Sequence, residues 1–172
     1  AANISSTANQ TYVGAMTLGA DATVLTNGAS AVITTTNTVN SDGTARALTM
    51  NASGATGKVV VASAVGNSAA LNQLAINASA IALNGSNITT SGNQTYAGAI
   101  TLGAGTTLTG SNVTTSSGST IAGSGNSLAV VGNASIAGDV SNVTTVNVSG
   151  TTRLAANISS TANQTYVGAM TL

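Results

Sequence analysis

Short apolar runs with period-two alternation follow one another along the chain, separated by Gly, Asn and Ser. AVITTTNTV (31–39), KVVVASAV (58–65), LAINASAIAL (74–83), SLAVVG (127–132) and VTTVNVSG (143–150) each fit short strands. In QTYAGAITL (94–102) one face carries Tyr96, Gly98, Ile100 and Leu102; the other carries Thr95, Ala97, Ala99 and Thr101. The related stretch QTYVGAMTL (10–18) places Tyr12, Met16 and Leu18 at the matching inward positions, while Val13 and Ala97 vary outside. Val146 and Val148 share a face in the same way. These eight residues, Tyr12, Met16, Leu18, Tyr96, Ile100, Leu102, Val146 and Val148, are the expected core ladder. No stretch shows a helical stripe, and the strong helix formers Glu, Lys and Gln are nearly missing. The pattern predicts an all-β chain.

Repetition decides which all-β architecture. Ala1–Leu18 recurs without a substitution as Ala155–Leu172, an offset of 154 residues. The simplest account is a segment of a longer tandem array, with 1–154 as one full unit and 155–172 as the start of the next identical one. Within the unit, 9–25 is echoed at 93–108, so the unit is two diverged halves of 84 and 70 residues. A tandem array of short, small-residue strands without large aromatics points to a solenoid rather than a sandwich. Coils of about 22 residues would give seven rungs per unit. At ~4.8 Å per rung, a unit would add about 34 Å of length.

Composition fits stacked coils. Only 3% of residues are charged, three basic and three acidic, and proline is absent. In a parallel stack like sits on like, so a charge would meet its own kind every ~5 Å. Proline would remove a donor from the ladder. Zero net charge gives no steering toward nucleic acid, and none is expected as a partner. The longest strongly apolar stretch, Val59–Val65, is far shorter than a spanning helix, so no membrane insertion is expected. Without cysteine, nothing rests on disulfides or thiolate metal sites.

The stretches NQTYAGAITLGAGTTLTG (93–110) and NQTYVGAMTLGADATVL (9–25) resemble the repeats of filamentous haemagglutinin-like adhesins, often exported by the two-partner route. Phrases of the form Q-T-Y-x-G-A-x-T-L-G-A-x-T-T-L recur in those shafts. The phrase is complete at 94–108, altered by one extra residue at 10–25, and cut short at 164–172. The resemblance implies a right-handed parallel β-helix displayed outside a Gram-negative cell, serving adhesion, aggregation or biofilm. It implies shaft rather than secretion domain or toxic tip. The expected partners are copies of the chain end to end, and surface glycans. Exact repetition departs from that family's diverged repeats and suggests a more regular fibre.

Candidate chemistry is sparse. His, Cys and Glu are absent, and Asp21, Asp42 and Asp139 stand alone beside turn residues. Ca²⁺ ligation or a general acid–base pair needs several carboxylates together. No enzyme activity, metal or cofactor is therefore expected. Arg46, Lys58 and Arg153 are expected in solvent or paired with an Asp of a neighbouring rung. Tyr12, Tyr96 and Tyr166 share one motif position. They read either as corner packing with the hydroxyl in water or as a sugar-stacking ladder. Thirteen N-x-S/T sequons fall at Asn3, Asn9, Asn51, Asn77, Asn84, Asn87, Asn93, Asn112, Asn133, Asn142, Asn147, Asn157 and Asn163. Asn at turns explains them; glycosylation is the rival reading. A glycan-bearing Asn must face outward, whereas a ladder Asn lies inside or at a corner. Threonine patches such as NITTSG and NVTTSSG resemble ice-binding arrays, though their spacing is irregular. Two readings follow: a structural unit of an extracellular bacterial filament, or a solenoid binding module with a Thr/Asn face for glycans or ice.

Overall fold

Strands of this kind bury one side and need backbone partners on both edges, and a stack of parallel coils supplies both. The computed structural model describes all 172 residues as twenty strands with no helix. Every named strand pair is parallel. Each turn of the chain crosses three faces, so the molecule is a three-faced parallel β-helix.

One inward column per face traces the coils. On the first face it runs Ala2, Ala22, Leu48, Leu74, Gln94, Val113, Ala134, Thr152, Met170. On the second it runs Gln10, Ile33, Val59, Ile81, Ile100, Ile121, Val140, Ile158. On the third it runs Met16, Val39, Val65, Ile88, Leu108, Val130, Val148, Tyr166. The first column makes eight steps over 168 residues, 21 per turn on average. The steps are unequal: they span 26 residues from Ala22 to Leu48 but 18 from Thr152 to Met170. Corner loops take up the difference without disturbing the strand register.

Alternation produces the core. Ala47–Ala52 buries every second residue: Leu48, Met50 and Ala52 point in. Thirty-one buried residues form one cluster from Leu18 to Leu154, so no boundary divides the stack. Burying each Ile or Leu side chain stabilises by roughly 1.5–3 kcal/mol. Of the expected ladder, Leu18, Tyr96, Ile100, Leu102, Val146 and Val148 lie in this cluster; Tyr12 and Met16, near one end, pack against it half-buried. Gln94–Leu102 is not one flat strand. It bends at Gly98, where the register shifts between Ala97 and Ala99, and passes from the first face to the second. Gly98 is therefore a corner, where strict alternation placed it on one continuous face with Tyr96, Ile100 and Leu102.

The repeated text occupies different faces. Gln10–Tyr12 lies on the second face, beside Ile33–Thr35. Gln94–Tyr96 lies on the first, beside Leu74–Ile76. Gln164–Tyr166 lies on the third, beside Val146–Val148. From Ile4 on the first face to Ile158 on the second, the 154 residues make seven turns and one face more. The count is therefore seven and one-third rungs, where a uniform coil length suggested a whole seven.

Two buried hydroxyls, Thr35 Oγ1 and Thr152 Oγ1, have no hydrogen-bond partner. Thr35 sits between Tyr12 and Val61 in its column. Valine there keeps the shape and removes an unmatched polar atom. Thr35→Val is expected to stabilise the chain by about 1 kcal/mol in denaturant titration.

Candidate functional site

Only two kinds of surface are offered by a stack of coils: its outer faces and corners, and the edges of its end coils. The corners are built by small residues. Gly110, Gly132, Gly150 and Gly168 stack at one corner, each against the backbone of the glycine one turn before. Side-chain bonds tie neighbouring coils at other corners. Asp21 Oδ1 accepts the Ala47 N–H at 2.9 Å, and Asp139 Oδ1 accepts the Asn157 N–H at 2.9 Å. Asp42 accepts from Thr44 N–H at 3.1 Å and forms a two-point pair with Arg46, Nη2 to Oδ2 at 2.9 Å. That pair closes a loop four residues long, where the sequence led to an expectation of Arg46 in solvent or paired with an Asp of a neighbouring rung. No group of three or more carboxylates comes together. Lys58 and Arg153 are exposed.

The Gln-x-Tyr motif is an inward-facing polar plug. Tyr96 is fully buried, and its hydroxyl donates to Gln94 Oε1 at 2.8 Å. Gln94 Nε2 donates in turn to the Thr109 carbonyl at 2.8 Å and the Ile88 carbonyl at 3.2 Å. The same Tyr–Gln bond forms at Tyr12–Gln10, 2.6 Å, and at Tyr166–Gln164, 2.9 Å. The Tyr96 hydroxyl thus does not reach water, and all three rings turn toward the core rather than outward as a sugar-stacking ladder. Gln94 was invisible to a hydrophobicity pattern. Its signal was recurrence beside tyrosine in all three copies.

Burial raises the hydroxyl pKa of Tyr96 far above the ordinary tyrosine value, and raises Tyr12 and Tyr166 as well. The Arg46 hydrogen bond, helped by the Thr44 N–H, lowers the Asp42 carboxyl below its ordinary value. A raised tyrosine contributes stability that is whole below its unfolded value of about 10 and is lost above it. A lowered aspartate contributes stability that is lost as pH falls below about 4. With no histidine between them, the thermal midpoint is expected to be flat from about pH 5 to about 9. It should fall above about pH 10, and fall less in Tyr96→Phe. Calorimetry across pH checks this.

The outer surface is polar and mixed. Asn93, Asn112, Asn133 and Thr151 form a corner ladder: Asn112 Nδ2 donates to Asn93 Oδ1 at 3.1 Å, Asn133 Nδ2 to Asn112 Oδ1 at 3.3 Å, and Thr151 N–H to Asn133 Oδ1 at 2.9 Å. Asn9 Oδ1 accepts the Val32 N–H of the next coil at 2.9 Å. Asn142 takes the left-handed backbone, φ 53°. Asn51 and Asn77 stack outward in register, half-buried and exposed. Asn3, Asn84, Asn87, Asn147, Asn157 and Asn163 are exposed outside the ladder. The sequons thus divide between coil-to-coil bonding and open outward positions.

An outward column on the first face reads Asn3, Thr23, Thr49, Ala75, Thr95, Thr114, Ser135, Arg153, Thr171. Ala75 and Arg153 interrupt it, and beside it stand Ser5, Leu25, Asn51, Asn77 and Ala97. No regular pair of threonines repeats on successive rungs. The largest surface hollow, about 690 Å³, runs open along Gly118–Thr120, Ala137–Asp139 and Leu154–Asn157. Its one ionisable side chain is Asp139, already bonded to backbone. No helix is long and apolar enough to cross a membrane. Compared with known proteins, the chain matches no family model, no curated protein and no solved structure.

Proposed function

We propose that this chain is a structural unit of an extracellular bacterial filament or giant adhesin shaft, giving mechanical continuity for adhesion or matrix formation. The observation that supports it most is the fate of the second copy. Ile158–Ser160, Gln164–Tyr166 and Met170–Thr171 continue the three faces in parallel register on the coils before them. The repeat therefore begins again with no break in the stack. Its partners are further copies of the same text, stacked end to end. The proposed location, the surface of a Gram-negative bacterium, rests on the resemblance of the Q-T-Y phrases to haemagglutinin-like shafts.

A solenoid that presents a Thr/Asn face to glycans or ice is the second reading. The stacked Asn51 and Asn77 and the Thr23–Thr49 pair favour it. The interruptions at Ala75 and Arg153 weigh against a long regular array. Proteins of one, two and four tandem units, imaged by electron microscopy, separate the readings. The filament reading expects rods that lengthen by about 35 Å per unit. Beads on a string would overturn it, as would short separate rods with saturable glycan or ice binding by the single unit.

A further inference from the structure

We infer that in a tandem array each unit is turned by one face relative to the unit before it, so that the filament carries a three-fold screw. This rests on the filament reading and adds the geometry of its outer surface. Identical text must bury the same side chains. Yet Gln10–Tyr12 and Gln164–Tyr166, 154 residues apart, lie on the second and third faces. The half-unit copy Gln94–Tyr96 lies on the first. The Tyr–Gln bond is the same on all three, 2.6, 2.8 and 2.9 Å. The motif is therefore indifferent to which face it occupies.

The steps are regular as well. From Gln10 to Gln94 the chain makes three turns and two faces, and from Gln94 to Gln164 it makes three turns and two faces again. These two halves differ in length, 84 against 70 residues, yet advance equally. The unit is thus a pair of equal angular steps, and three units return to the starting face after 22 turns, about 105 Å at ~4.8 Å per turn. Whatever stands outward on one unit recurs on all three sides of the filament. Val13 and its repeat Val167, each 72% exposed, lie at different corners. An apolar corner valine thus never builds a stripe along one side, and contact between neighbouring filaments is offered in three directions.

Two measurements test this. In the 172-residue chain, spin labels are placed at Val167→Cys with either Thr17→Cys or Val13→Cys. Thr17 shares the third face with Val167; Val13 is its equivalent in the text. The Thr17 pair is expected to be the closer by several Å. A shorter Val13 pair would overturn the inference. In rods of six tandem units, Ser141→Cys carries a gold tag on an exposed second-face position. Successive tags are expected ~35 Å apart and 120° around the axis. Tags along one side of an unbroken rod would overturn the screw and leave the filament. Rods broken at each junction would overturn both.

Discussion

Gly132→Ala is expected to destabilise the chain by about 3–5 kcal/mol, enough to unfold much of it. Two costs add. Gly132 has φ 134°, a region closed to side chains. A β-carbon there would also overlap the Gly110 carbonyl oxygen of the coil before. That oxygen belongs to stacked backbone, so it cannot yield without opening the rungs. The Gly150 N–H bonds to the Gly132 carbonyl at 2.9 Å, which passes the strain onward along the corner. Gly118→Ala separates the two costs. Gly118 has φ 80° but open space around it, so only the backbone term of about 1–2 kcal/mol is expected. Equal losses in urea titration for the two variants would contradict the stacked-corner account.

Gln94→Leu carries the second large effect, about 2–4 kcal/mol. The change leaves the Tyr96 hydroxyl buried without its acceptor and removes the donor that serves the Thr109 and Ile88 carbonyls. Tyr96→Phe alone removes one bond and is expected to cost about 1 kcal/mol. The double variant should lose less than the two single losses together, because the orphaned hydroxyl is gone. Strict additivity would mean that the two side chains do not act as one plug. The equivalent change at Gln164 is expected to cost less, since that residue is exposed in the last coil.

Much of the fold was legible because stacking imposes a simple grammar. Ile33, Val59, Ile81 and Ile100 fill one column, and each stands in a short alternating run, whereas Ile121 and Val140 continue the column from strands of two and four residues that no such run marked. Scarce charge and absent proline pointed to continuous ladders for a physical reason. What was hidden came from the corners. Coil lengths run from 18 to 26 residues, and a uniform coil of about 22 divides the repeat into a whole number of rungs, which conceals the extra third of a turn. Loops such as Asp42–Arg46 absorb residues without moving a strand, so counting letters cannot locate the face. Tyr96 was legible as an inward residue, but not the fate of its hydroxyl, because alternation says which side faces inward and not which polar partner waits there. The Asn93–Asn112–Asn133 ladder needs a register that no single run contains.

The parallel register of the coils is the claim on which everything else stands, and methyl NOEs in the 172-residue chain test it most directly. The account predicts a chain of contacts along Ile33, Val59, Ile81, Ile100, Ile121 and Val140, residues 19 to 26 apart in sequence. It also predicts that Tyr12 touches Thr35 while Tyr166 touches Val148, although the two tyrosines sit in identical text. Antiparallel contacts between successive strands, or the same neighbours for both tyrosines, would contradict it.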